Sequence, residues 1–500
     1  MTMNHPEYET TLHDELSGVF KYDLLPGETI LAITEHPVRR RERHPSTTKE
    51  LLRLTRAQHI NDIGKAGPSI ASLALEPEVG IDNPDNEHLH LYEVVFGRDS
   101  LRVAIDLINS YPELARTTVF ALAQLQGTTY NKDREEEPGR IVHEARDEND
   151  LLARRLTLER GWHWPYYASV DATPEFIRTL TAYVKRSEEN YGFLSETYTD
   201  RDDKERTVTH SLEMALEWIA TRRLQNSEGL VEYKTTLPRG IENQVWRDSW
   251  DAYHHADGTL ANHDQGIASL EVQVTTYDAL LDAAELFEDV FDNLSRAESL
   301  RAQAQTLRTA ILEYFWTDEK GGYFVLGTDR DDEGNLRQLK IRTSNMGHVL
   351  NSRLLKGDEP ETVHMREAVV NQILSPEMLC FSGIRSLASD EVRFRPGAYH
   401  NGSVWLWDTH HIAKGLRRHG YTEAADDLDR RMLRVIDITR MFPEYVRGEQ
   451  DGVSVNTHTV ELMDATYNRI NVVEQPPQEV QAWTVAAIRA IKNRFRLRAS

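Results

Sequence analysis

Residues 98–127, RDSLRVAIDLINSYPELARTTVFALAQLQG, decide the fold class. Leu101, Ile105 and Ile108 recur at i, i+4 and i+7, the spacing of one helix face. Pro112 opens a second helix, with Leu114, Ala121, Leu122 and Leu125 turned inward and Gly127 as its stop. The same pattern returns along the chain. Thr173 and Pro174 read as N-cap and first helical residue of a segment bearing Phe176, Ile177, Leu180 and Val184. Val208, Leu212, Leu216 and Ile219 mark another helix, and Leu300, Ala304, Leu307, Ile311 and Phe315 a further one. Helices are also expected near 268–289, 362–374, 403–417, 421–438 and 477–492. A weak stripe of Leu51, Leu54 and Ala57 opens the series, which comes to about a dozen.

Strand signals are scarce. The best is GGYFVLGTDRDDEGNLRQLKIRTS (321–344), read as strand, turn, strand. Its turn has the acids and the central Gly334 of a calcium loop, but Lys340 stands where a bidentate glutamate is needed, so a plain hairpin is expected. There is no βαβ rhythm and no glycine-rich phosphate loop.

Composition narrows the function. The 500 residues carry 58 Lys and Arg against 81 Asp and Glu, a net charge of −23, which opposes nucleic-acid binding. Hydrophobic residues, at 39%, suffice for a sizeable core. Cys380 is the one cysteine, so an intrachain disulfide and a cysteine-based zinc site are excluded. No window reaches the ~18 apolar residues of a membrane span. The N-terminus lacks the basic and apolar regions of a secretory signal, so the cytoplasm is the expected compartment.

The unusual residues lie between the helices. Trp162, Trp164, Trp246, Trp250, Trp405, Trp407 and Trp483 fall in or beside inter-helix segments, close to carboxylates. Aromatic faces that stack on a sugar ring and acids that bind its hydroxyls suit a saccharide site. FGRDSL (96–101) sets Arg98 and Asp99 at a helix start. Glu144, Tyr166 and Asp171 crowd the loops over 135–176. In IENQVWRDSWDAY (241–253), Asp248 stands between Trp246 and Trp250, and an aromatic surround raises a carboxyl pKa toward that of a general acid. YHNGSVWLWDTHH (399–411) adds His400, Asn401 and Trp405; its histidines lack the spacing of a zincin, and no metal is expected. MFPEYVRGEQDG (441–452) places Glu444 after a proline just past a helix.

Ten strings in order resemble the C-terminal glucosidase region of glycogen debranching enzymes and, more distantly, glucoamylase-like inverting α-glycosidases. They include FGRDSL, EEPGRIVHEAR, YYASVDATPEF, NQVWRDSWD, YHNGSVWLWD and FPEY, and run from about Val95 to Ile491. The resemblance implies an all-α (α/α)6 barrel, or toroid, with long loops forming a pocket at one end. With it goes a division into an irregular N-terminal extension, 1–46, and a barrel domain, 47–500. It also implies that Asp248 is the general acid and Glu444 the general base, and that Arg98 and Asp99 hold the terminal glucosyl unit. Asp171, His400 and Asn401 would be further pocket residues, and Glu144, Tyr166, Trp246 and Trp405 are counted with the substrate-binding set.

Only about 90 residues precede the match, too few for the separate transferase domain of full debranching enzymes, so a small glycoside rather than glycogen is a fitting substrate. The activity expected is that of an exo-acting, anomer-inverting α-glucosidase on a neutral carbohydrate. Proton transfer plus water requires no cofactor. A phosphorylase on the same barrel and a non-catalytic sugar-binding protein are the alternatives. Neither the linkage nor the oligomeric state is written in the sequence.

Overall fold

The computed structural model describes Ser46, residues 74–75, 94–149, 151–455, 458–463, 469–475, 477–478 and 480–499. The extension expected over 1–46 and the stripe of Leu51, Leu54 and Ala57 lie outside the described residues, Ser46 apart.

Twelve α-helices are found among the described residues. They are α1 (Gly97–Leu107), α2 (Pro112–Gln124), α3 (Leu151–Arg160), α4 (Ala172–Val184), α5 (Val208–Arg223) and α6 (Leu270–Asp289). They continue with α7 (Leu294–Phe315), the one-turn α8 (Asn345–His348), α9 (Pro360–Ile373), α10 (Leu406–Arg418), α11 (Thr422–Thr439) and α12 (Ala482–Ala499). The expected helices over 98–127, 208–219, 268–289, 300–315 and 362–374 are present within a few residues of their expected bounds. α3 was not foreseen. The final helix begins at Ala482, not near 477, because Val480–Gln481 is a short strand antiparallel to Ala74–Leu75; before it, Arg469–Gln475 forms a strand antiparallel to His458–Met463. The foreseen hairpin is also present: Gly327–Arg330 pairs antiparallel with Leu336–Gln338.

Burial sorts the helices into two layers. In α7 the buried residues are Ala297, Leu300, Ala304, Leu307, Ala310, Ile311 and Phe315, a single stripe of an outer helix. In α1 and α4 nearly every residue is buried, as it is through most of α6, and all four residues of α8 are buried. These inner elements form a closed ring: α1 packs on α4, α4 on α6, α6 on α8, α8 on α10, α10 on α12, and α12 on α1. Outer helices back them, α2 and α5 on α4, α7 on α6, α9 on α8, and α11 on α10.

The ring is charged along its axis, and the ion pairs fix its polarity. Arg98 in the first turn of α1 meets Asp171 at the start of α4. One turn further, Arg102 meets Glu175 at 2.9 Å and Glu271 of α6 at 3.6 Å. Further still, Arg178 meets Asp278 at 3.6 Å. The inner helices therefore start at one end of the ring. At that end short extended segments run straight into them: Val95–Phe96 into α1, Ala268–Ser269 into α6, Ser403–Trp405 into α10 and Val480–Gln481 into α12. The cap of α4 is a correction to the sequence reading. Asp171, not Thr173, is its N-cap residue, and the Thr173 hydroxyl accepts a hydrogen bond from the Ile141 N–H at 3.0 Å. No helix of the described residues is long and apolar enough to cross a membrane.

Candidate active site

The site starts from a glycine. A Cβ on Gly97 would lie 2.0 Å from the Val142 carbonyl oxygen, so only glycine lets α1 begin against the segment that leads into the Glu144–Ala145 strand. The next residue is Arg98, 5% exposed, aimed into the ring. Its Nη1 lies 3.1 Å from Asp171 Oδ2, its Nη2 3.3 Å from Asp248 Oδ2 and its Nε 3.4 Å from Asp99 Oδ1. Burial disfavours the guanidinium charge, but the three carboxylates outweigh it and raise the pKa above the ordinary arginine value. Asp171 is fully buried and also accepts a hydrogen bond from Ser169 Oγ.

Asp248 comes from the long segment between α5 and α6. It sits in a recess that leaves 31% of its side chain accessible. Burial pushes its carboxyl up, Arg98 pulls it down, Asp99 and Asp171 push it up again, and the result is about 7. Its loop is anchored from below by Arg247, whose guanidinium is fully buried and donates to the Ser386 and His400 carbonyls at 2.7 Å each. Burial lowers the Arg247 pKa to about 10.

Glu444 arrives from the segment between α11 and α12, next to the Tyr445–Arg447 strand that pairs with Ser403–Trp405. It is 6% exposed. The Tyr399 hydroxyl donates to its Oε1 at 2.7 Å and the Gln478 N–H to its Oε2 at 3.3 Å. Burial raises its pKa, those two donors lower it, Asp248 and Asp99 raise it, and it too settles at about 7. Two acids about 200 residues apart in the chain thus lie within electrostatic range, on loops at the same end of the ring.

The other expected residues fall into two groups. Arg98, Asp99 and Asp171 join the acids directly. His400 and Asn401 lie behind the Asp248 loop. His400 Nδ1 meets Ser249 Oγ at 2.9 Å, and Asn401 Nδ2 donates to Asp251 Oδ2 at 3.1 Å, so they orient the loop. Trp246 and Trp405, expected as sugar-stacking walls, are each 1% exposed. They pack edge to face at 6.0 Å, with Trp405 stacked on His400 at 5.1 Å and Trp407 against Trp246 at 5.0 Å. Both rings are buried in one aromatic cluster beside the Asp248 loop. Glu144 is ion-paired to Arg146, and Tyr166 donates to Glu135 at 3.1 Å while stacking on Trp162. The contact of Tyr399 with Glu444 joins residues 45 apart in the chain and is not visible in the sequence.

The sequence profile of the mannosylglycerate hydrolase MGH1-like glycoside hydrolase domain matches residues 194–456, more than half of the chain. The chain belongs to this family. The MGH1-like span holds both acids, whereas Arg98, Asp99 and Asp171 precede it. The fold agrees. A crystal structure of the GH63 mannosylglycerate hydrolase from Thermus thermophilus in complex with Tris is similar with a TM-score of 0.58, at 13% identity, over 90% of this chain and 100% of that one. The complex of that enzyme with Tris and D-glycerate gives 0.57 at 12% identity, over 88% and 99%. No curated protein matches the chain. The MGH1-like chain is thus a glycoside hydrolase of the six-hairpin superfamily with a carbohydrate substrate, and the resemblance to debranching enzymes holds at that broader level.

Proposed function

We propose that the protein is an exo-acting, inverting α-glycosidase that releases a terminal α-linked hexose from a small glycoside. The closed helical ring is read as an (α/α)6 barrel. The observation that carries the reading is the pair of carboxyls, Asp248 and Glu444, both raised to about 7, with the charge of Asp248 among the causes that raise Glu444. A carboxyl raised to about 7 is divided between its protonated and ionised forms around neutrality, so one of the two can carry a proton while the other is ionised.

In this mechanism Asp248 carries that proton and gives it to the glycosidic oxygen as the bond to the anomeric carbon breaks. Glu444, ionised and held by Tyr399 and the Gln478 N–H, takes a proton from water, which attacks the opposite face of the ring. Such a geometry calls for carboxyls ~6.5–9.5 Å apart, with the water between them. Arg98 holds Asp99 beside the acid, where it can meet a hydroxyl of the terminal sugar, and is itself held from behind by the fully buried Asp171.

The substrate class follows the relatives. Mannosylglycerate hydrolases are named for a hexose joined to a small hydroxy acid. A glycoside of that size, mannosyl or glucosyl, fits this chain better than a glycogen branch, and its carboxylate departs from the neutral saccharide expected above. The test is proton NMR of fresh product from mannosylglycerate, glucosylglycerate, isomaltose and maltose. Inversion gives the β-hexose first. First-formed α-hexose, or no release from any of the four, overturns the proposal.

A further inference from the structure

A second feature of the ring is a cavity away from the acids. It lies toward the other end of the ring, with a volume of about 730 Å³, between the later turns of α4 and α6, the segment 352–358, α9 and the end of α10. Its size is that of a site for a small organic ligand, and larger than one inorganic ion needs. None of its lining residues carries an aliphatic side chain or the ring of Phe, Tyr or Trp. Five lining side chains, Arg178, Arg353, Lys356, Arg366 and Arg418, are cationic, against three acids. On a chain with a net charge of −23, such a concentration of cations is against the general trend.

The acids offset part of these charges. Asp278 and Asp282 are shared by Arg178 and Arg353, Arg353 also meets Glu285 at 2.8 Å, and Asp278 and Asp282 favour the charge of Arg418 without bonding to it. Arg366 donates to the Leu355 and Gly357 carbonyls at 3.1 and 2.9 Å, and Arg418 to the Asn351 carbonyl at 2.7 Å. Neither has a carboxylate partner among the described residues. His419 shows the potential that results: burial, then Arg366 and Arg418, hold its pKa below the ordinary histidine value.

We propose that this cavity binds a small phosphorylated sugar or polyol, its phosphate held by Arg366, Arg418 and Lys356 and its hydroxyls by the polar walls. Guanidinium groups with donors to spare are the usual partners of phosphate oxygens. The site is separate from the acids, and its test does not depend on the proposed reaction.

The experiment is calorimetric titration of the full chain at low ionic strength with glucose 6-phosphate, inorganic phosphate and, as a neutral control, glucose. The expected result is saturable binding of the sugar phosphate, weaker binding of inorganic phosphate and none of glucose. Lys356 is exposed and bonded to nothing that the fold needs, so K356E, with an unaltered melting curve, should weaken binding by about tenfold or more. R366Q/R418Q should abolish it. Equal binding of the two phosphates would point to free phosphate as the occupant and still support the site. No saturable binding of either at about 10 mM, or unchanged affinity in K356E and in R366Q/R418Q, would overturn it.

Discussion

Arg98 Nη2 lies 3.3 Å from Asp248 Oδ2, yet Asp248 is not an ordinary salt-bridged carboxylate. The same guanidinium also faces Asp99 and Asp171, so its charge is divided among three acids. With Asp171 fully buried and Asp248 31% accessible, desolvation and the neighbouring acids win, and Asp248 rises to about 7 instead of falling. A cation beside a carboxyl is thus compatible with a proton donor when that cation is already committed.

Removing the donor tests this. D248N should lower kcat by ~10²–10⁴-fold on a glycoside with a poor leaving group. On an α-glycosyl fluoride, whose departing fluoride needs little protonation, the loss should be much smaller. Equal losses on both substrates would assign Asp248 a role other than general acid.

Tyr399 sets the acidic limb of the pH profile. Its hydroxyl donates to Glu444 and favours the ionised form, which the base must be in. Y399F removes that donor, so the Glu444 pKa should climb and the acidic limb of kcat/KM should move to higher pH, with the alkaline limb nearly fixed. A profile that scales down without moving would reduce Tyr399 to packing.

How much of this was legible in the sequence depended on the kind of signal. Leu300, Ala304, Leu307 and Ile311 announce an outer helix because its two faces differ in polarity. α3 (LLARRLTLER) has no such contrast and gave none. The ladder of Arg469–Gln475 was hidden for another reason: its partner is another short segment of the chain, and pairing is not a local property. Asp248 and Glu444 could be picked out from local context and resemblance. The mutual packing of the tryptophans was not legible: Trp246 meets Trp405 and Trp407 edge to face, and contacts between residues so far apart in the chain leave no mark on the local sequence.

The raised acids should weaken the fold as pH climbs. Both bind protons more tightly folded than unfolded, since their pKa values are about 7 against 3.8 and 4.5. Between roughly pH 4 and 7 the native state therefore holds more protons, and stability contributed by these groups at low pH is lost as pH rises through that window. D248N cannot ionise and should escape its share. Chemical denaturation at pH 5 and pH 8 should show the variant losing less stability than the wild type, by on the order of 2 kcal/mol after allowance for the solvent that reaches Asp248. Identical losses would mean that Asp248 titrates as an ordinary surface acid.

Gly97 links the fold to the chemistry. An alanine there would drive its Cβ to 2.0 Å from the Val142 carbonyl oxygen, and the obstacle is main chain tied into a ladder, since Val95 pairs with Ala145 and the Gly97 N–H donates to the His143 carbonyl at 3.0 Å. Neither side can yield by a rotamer change, so G97A should cost about 3 kcal/mol. The displaced residue next in line is Arg98, so activity should fall further than the loss of folded protein explains. Urea unfolding measures the first effect, and turnover per folded molecule the second. A variant with a wild-type urea midpoint would show that α1 can start elsewhere, and that the close approach at Val142 is not what aims Arg98 at the acids.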